Sequence, residues 1–162
     1  MLLGLLSDTH DHREHILKAK KIFADKQTDL VIHLGDYCAG PSVRVMEGMK
    51  VLGIYGNNDG DLLSIQRNFG QIGGDFRGQF TVMEIDGLKI ACYHGTIAEI
   101  TEALIDSKRY DIVLTGHTHD TKVETRNGVL AVNPGSAHGF EKKGSIGILD
   151  TKTRKVEIIE LD

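Results

Sequence analysis

The chain has 162 residues, a net charge of −4 and a pI near 6.0, with 40% hydrophobic and 26% charged residues. That balance describes one domain with a sizeable core and gives no global attraction to nucleic acid or to an acidic membrane. No apolar stretch reaches the roughly 18–20 residues of a bilayer span, the N-terminus enters a strand without a basic leader region, and Cys38 and Cys92 do not make a disulfide framework, so a cytoplasmic protein with reduced thiols is expected.

In chain order, Leu2–Leu6 reads as a buried strand, and it runs into Ser7-Asp8-Thr9-His10. Ile16, Leu17, Ala19, Ile22 and Phe23 give one face of a helix over residues 13–26. A second strand covers 30–34 and meets Gly35-Asp36. Pro41 suits the first turn of a short helix reaching Met46. Val51–Tyr55 forms a third strand that ends at Gly56-Asn57-Asn58-Asp59. A weaker helix is expected over 61–69, and the glycine-rich stretch 70–78 has no clear assignment.

The pattern then turns to hairpins. Residues 80–85 alternate, Asp86-Gly87 is a turn signal, and the chain returns over 88–93 to His94-Gly95. A helix over 96–107 with Thr96 as N-cap follows. Next come a strand at 112–115 leading into Gly116-His117-Thr118-His119, and a pair at 121–125 and 129–132 about Asn127-Gly128. Asn133-Pro134-Gly135-Ser136 reads as a loop, before two last strands at 145–149 and 155–160. The fold class is α/β, with two sheets packed face to face and helices outside. A single domain spanning residues 1–162 is expected.

Five apolar runs thus end in residues that can bind a metal, and in an open α/β sheet the ligand site lies at the carboxyl ends of the strands. Asp8, His10, Asp36, Asn57, His94, His117 and His119 would converge on one edge. Seven ligands are too many for one tetrahedral ion and suit two. Asp8-x-His10 and His117-x-His119 share a spacing of two, which in an extended strand end directs both side chains the same way. The mixture of imidazole and carboxylate without thiolate favours Mn, Zn, Fe or Ni over a structural zinc site. Asp36 is the natural bridge, because a carboxylate has two oxygens to share. Two ions ~3.5–4 Å apart would clamp an in-line displacement, with a hydroxide held between them made nucleophilic at neutral pH.

These five blocks, in this order, resemble those of the calcineurin-like metallophosphoesterase superfamily. The short length and the Asn133-Pro134-Gly135-Ser136 segment resemble its small single-domain branch, the YfcE-type phosphodiesterases. The resemblance runs from Leu2 to about Ser136. It implies a four-layer α/β/β/α sandwich of two mixed sheets flanked by helices, the metallo-dependent phosphatase fold. It implies two divalent ions, Mn2+ first and Ni2+, Zn2+ or Fe2+ as alternatives. Asp8, His10 and His119 would hold one ion, Asn57, His94 and His117 the other, and Asp36 would bridge. The implied activity is hydrolysis of a small phosphodiester by attack of a metal-bridging hydroxide, with Asp36, Asn58, His94 and His117 as the residues closest to the chemistry. The resemblance leaves a homodimer or a homotetramer open.

One position departs from the pattern. Many members carry a histidine after the third block's Gly-Asn and use it to protonate the leaving group, whereas this chain has Asn58. An amide can donate a hydrogen bond to a phosphate oxygen but is no general acid at neutral pH. Loss of acid help, typically worth 10²–10⁴-fold, would favour diesters over monoesters and slow poor leaving groups. Asp59, the usual partner of that histidine, would hold the loop instead.

Two other functions compete. A protein-interaction scaffold of the same fold, like the retromer subunit, loses ligand histidines, and all are kept here. A nuclease or protein phosphatase would need a basic stripe or added domains, and nucleic acid is not an expected partner. Of the remaining candidates, His33 reads as a core or supporting histidine. Cys38 reads as a small buried residue near Asp36, and His12 and His15 as surface residues with His12 near the site. His138 is rim or plain loop, and Asn133 and Ser136 are turn residues or pocket formers.

Overall fold

The computed structural model describes residues 1–140 and 142–161; Asp162, the last residue of the expected domain, lies outside them. Eleven strands among these residues form two sheets. The first sheet contains β1 (Leu2–Leu6), β2 (Leu30–His33), β3 (Val51–Gly53), β4 (Asp75–Phe76), β10 (Gly144–Asp150) and β11 (Lys155–Leu161), in the order β11-β10-β1-β2-β3-β4. The second contains β5 (Phe80–Ile85), β6 (Leu88–Tyr93), β7 (Ile112–Leu114), β8 (Thr121–Arg126) and β9 (Val129–Pro134), in the order β5-β6-β7-β9-β8. Both are mixed. β1 to β4 run parallel, while β10 joins β1 antiparallel and carries β11. In the second sheet β6, β7 and β9 are parallel and flanked by antiparallel β5 and β8.

The central strands β1, β2, β3, β7 and β9 are near-continuous apolar runs because both of their faces are covered. Side chains alternate between faces. Leu3, Leu5, Ile32, Leu52 and Ile54 meet Ile90, Cys92, Ile112, Leu114 and Val132 in the layer between the sheets. Leu6, Val31 and Val51 face the other way, onto α1 (Arg13–Asp25), α2 (Gly40–Arg44) and α3 (Leu62–Gln71), which supply Ile16, Phe23, Val43, Ile65 and Phe69. Ala91, Val113 and Ala131 do the same under Ile105 of α4 (Ala98–Asp106). The result is the expected four-layer α/β/β/α sandwich.

Three local expectations change. Helix α4 begins at Ala98 with Ile97 as its cap position and no capping side chain; Thr96, expected there, instead directs its hydroxyl to Asn57 Oδ1 at 3.4 Å. Strand β9 continues through Asn133 and Pro134, the first half of the expected loop. Past Val132 it has left β7 and pairs only with β8, so proline's missing N–H costs no ladder bond on the β7 side. The glycine-rich stretch 70–78 contributes β4, a short edge strand beside β3.

Candidate metal centre

The parallel strands β1, β2, β3, β6 and β7 all point their carboxyl ends at one edge of the sandwich. The loops that follow bring Asp8, His10, Asp36, Asn57, His94, His117 and His119 there. The spacing-of-two pairs do not converge by strand alternation, because β1 ends at Leu6 and β7 at Leu114. Asp8, His10, Asp36, His117 and His119 instead have φ of +52°, +39°, +61°, +70° and +60°. Such left-handed backbone costs ~1–3 kcal/mol per non-glycine residue and persists where surrounding structure enforces it. Two glycines permit the crowding. A Cβ at Gly56 would lie 2.1 Å from Asp36 Oδ1, and one at Gly116 would lie 1.9 Å from Ser7 Oγ.

Asp8 and Asp36 are buried, and the ionic neighbours that reach them among the described residues are imidazoles. His10 Nε2 lies 3.8 Å from Asp8 Oδ1 and 3.5 Å from Asp36 Oδ2. His94 Nε2 lies 3.9 Å and 3.4 Å from the same two oxygens, and His119 Nε2 lies 3.3 Å from Asp8 Oδ1. Asp8 Oδ1, His10 Nε2 and His94 Nε2 are buried with no hydrogen-bond partner. Orphaned buried polar atoms are costly and uncommon. Ligands about 2.1 Å from a shared tetrahedral ion stand about 3.4 Å apart, which matches these separations. The donor set therefore fits metal. Asp8, His10 and His119 surround one point, and Asp8, Asp36 and His94 a second.

The supporting bonds aim these atoms. His94 Nδ1 lies 2.6 Å from the Leu34 carbonyl and His10 Nδ1 lies 3.2 Å from Cys38 Sγ. A carbonyl only accepts, so the His94 proton sits on Nδ1 and leaves Nε2 free as a ligand, the arrangement usual for metal-binding imidazoles. Burial pushes the Asp8 carboxyl up, but His10, His94, the Ser7 hydroxyl and the His117 N–H together hold it below the ordinary range. Asp36 is likewise held low, against burial, by His94 and by Asn58. His94 is held up, against burial, by Asp36 and Asp8. The two carboxylates demand positive charge between them.

Asn58 turns part of its amide inward. Its backbone N–H donates to Asp36 Oδ1 at 2.8 Å and its side-chain amide to Asp36 Oδ2 at 2.7 Å. It grips the carboxylate from both sides with one of the two side-chain N–H donors. Asn57 is exposed at the rim. His117 stands beside His94, with ring centroids 5.3 Å apart, and gives its N–H to Asp8 Oδ2 at 3.0 Å. Among the described histidines, cysteines and carboxylates, the His117 ring is not in the groups that close around the two points.

Asp59 holds the loops together, as expected. Its carboxylate accepts N–H bonds from Asp36, Tyr37, Cys38 and Gly56 at 2.7–3.0 Å. Burial outweighs these donors and pushes its carboxyl up. Asn133 and Ser136 are buttresses. Asn133 Nδ2 donates to the Gly116 carbonyl at 2.7 Å, and Ser136 Oγ donates to the Asp8 carbonyl at 3.0 Å. Phe140 carried no signal in the sequence. It is 52% exposed, and its ring stacks on His119 at 4.8 Å and on His138 at 4.0 Å.

His33 is fully buried, stacked on Tyr37, and supports the site from below. Its Nδ1 accepts from the Gly35 N–H at 3.2 Å, so Nε2 donates to Thr9 Oγ1 at 3.1 Å. Burial lowers its pKa from 6.5 to about 3. Between these values the unfolded chain binds a proton that the folded chain refuses, so this term weakens folding as pH falls below 6.5. The slope is at most about 1.4 kcal/mol per pH unit. Urea unfolding of chelator-treated protein between pH 6.5 and 4 is expected to lose stability more steeply than a His33→Gln variant; equal slopes would contradict the assignment.

Residues 1–154 match the family model described as the calcineurin-like phosphoesterase superfamily domain. The chain belongs to that superfamily. Phosphodiesterase MJ0936 of Methanocaldococcus jannaschii is 36% identical over the full length of both chains. The solved structure of an archaeal phosphodiesterase, also 36% identical, superposes with a TM-score of 0.95 over 99% of this chain and all of that one. The phosphoesterase YfcE of E. coli gives 0.72 at 17% identity over both full lengths, which is likeness of fold alone. This member of the superfamily is thus an enzyme homologous to a phosphodiesterase. No helix among the described residues is long and apolar enough to cross a membrane.

Proposed function

We propose that residues 1–162 form a single-domain, cytoplasmic phosphodiesterase whose site takes two divalent ions, Mn2+ before Ni2+, Zn2+ or Fe2+. The observation that carries this reading is the convergence of orphaned Asp8 Oδ1, His10 Nε2 and His94 Nε2 around the Asp36 carboxylate. Asp8, His10 and His119 would hold one ion. His94 would hold the other, with Asn57 and His117 completing it from beside. Asp36 Oδ2, 3.5 Å from one imidazole and 3.4 Å from the other, would be shared. Such ions lower the pKa of a water nucleophile and offset charge on phosphoryl oxygens.

The chain's own contribution is placement. Leu34 and Cys38 orient the two imidazoles, Asn58 fixes both oxygens of Asp36, and Asp59 holds the loops that carry them. The Asn58 amide cannot protonate a departing alkoxide. Activated diesters with good leaving groups are therefore the favoured substrates. Chelator-stripped protein should not hydrolyse a bis-aryl phosphodiester and should regain turnover with Mn2+, at a rate at least tenfold above that on the matching aryl monoester. Asn58→His should narrow that gap. Folded protein inactive with all four metals would favour the scaffold instead.

A further inference from the structure

Beside the metal centre lies a cleft of about 210 Å3, lined by Tyr55, Asn57, Tyr93, His94 and Ile97 among others. Resting on the phosphodiesterase reading, we propose that this cleft is a specificity subsite that receives a ring-bearing ester group of the substrate. Both phenol hydroxyls are tied to backbone groups. Tyr55 donates to the Leu62 carbonyl at 2.7 Å, and Tyr93 accepts the Ile97 N–H at 3.1 Å, which leaves the Tyr93 O–H able to donate. The larger part of what the two tyrosines offer is ring surface. Ile97 adds an apolar side chain that is 49% exposed, at a position where the helix cap would favour Ser, Thr, Asp or Asn. The other polar side chains of the lining are Thr96, which donates to Asn57 Oδ1, and Gln79.

The dimensions select the occupant. A cavity of about 150 Å3 holds a benzene molecule, so this cleft has room for one ring and its ester oxygen. Two residues of the lining, Asn57 and His94, are assigned to the metal site, so a phosphoryl group held there would have one arm against Tyr93 and Ile97. Planar groups gain both area burial and stacking from such walls, whereas a methyl ester gains little. The subsite therefore ranks substrates by the organic group, independently of how the phosphorus reacts.

Binding tests this without turnover. Mn2+-loaded protein is titrated calorimetrically with inorganic phosphate, methyl phosphate and phenyl phosphate. Phenyl phosphate is expected to bind about tenfold more tightly than methyl phosphate, the gain from covering one ring face. Ile97→Trp, at an exposed position with extended backbone, should fill the cleft and erase that preference. It should leave the affinity for inorganic phosphate unchanged. Equal affinities for the two esters in the native protein, or a preference that survives Ile97→Trp, would overturn the subsite while leaving the phosphodiesterase reading in place. Failure to bind inorganic phosphate would overturn both.

Discussion

Asp36→Asn is expected to lower metal-dependent phosphodiester hydrolysis by at least about 10³-fold, beyond the ~10–100-fold typical of losing a residue that merely supports a ligand. Among the described carboxylates, that of Asp36 is the one within 3.5 Å of both His10 Nε2 and His94 Nε2. An amide of the same shape has a single oxygen and no charge. At one oxygen's place its NH2 would oppose the Asn58 backbone N–H and at the other the Asn58 side-chain amide, both of which now face an acceptor. Folding should survive, because the backbone bonds from Asp36 to His10 and Asp59 do not involve the altered atoms. Steady-state rates and bound metal, measured on the same preparation, check the prediction. A variant that keeps two ions and more than a tenth of the activity would remove Asp36 from the bridging role.

Asp59→Asn should act through stability. The native carboxylate accepts four N–H bonds, two on each oxygen, from two different loops. Asparagine keeps one acceptor oxygen and turns an N–H pair toward the other two donors. Each donor left unsatisfied in a buried site costs ~1–3 kcal/mol, so for two donors the loss should be about 2–6 kcal/mol. Urea unfolding measures it directly. Because the same loops carry Asp36 and Asn57, metal affinity should fall as well. A change below about 1 kcal/mol would mean that the loops are held by other contacts.

Much of the architecture is legible in the chain. Apolar runs ending in Gly plus a ligand mark the parallel strands and the edge at which they converge, and Asp86-Gly87 and Asn127-Gly128 mark the hairpins. Three features are not legible, for physical reasons. The Asp8–His10 and His117–His119 pairs meet through left-handed backbone, which a spacing of two does not reveal. The partners of Asn58 and Cys38 lie on other loops, so no local pattern announces that one grips Asp36 and the other His10. Phe140 follows Gly139 in a loop, and only the closure of that loop over Asp8 brings its ring against His119.

The most direct test is a Mn2+ titration of chelator-stripped protein in which bound metal and bis-aryl phosphodiester turnover are followed together. Two ions per chain, with turnover appearing as the second binds and disappearing in Asp36→Asn, is the predicted result. One ion or none at saturation, or turnover that persists without metal, would contradict a two-ion centre built on Asp8, Asp36 and their histidines.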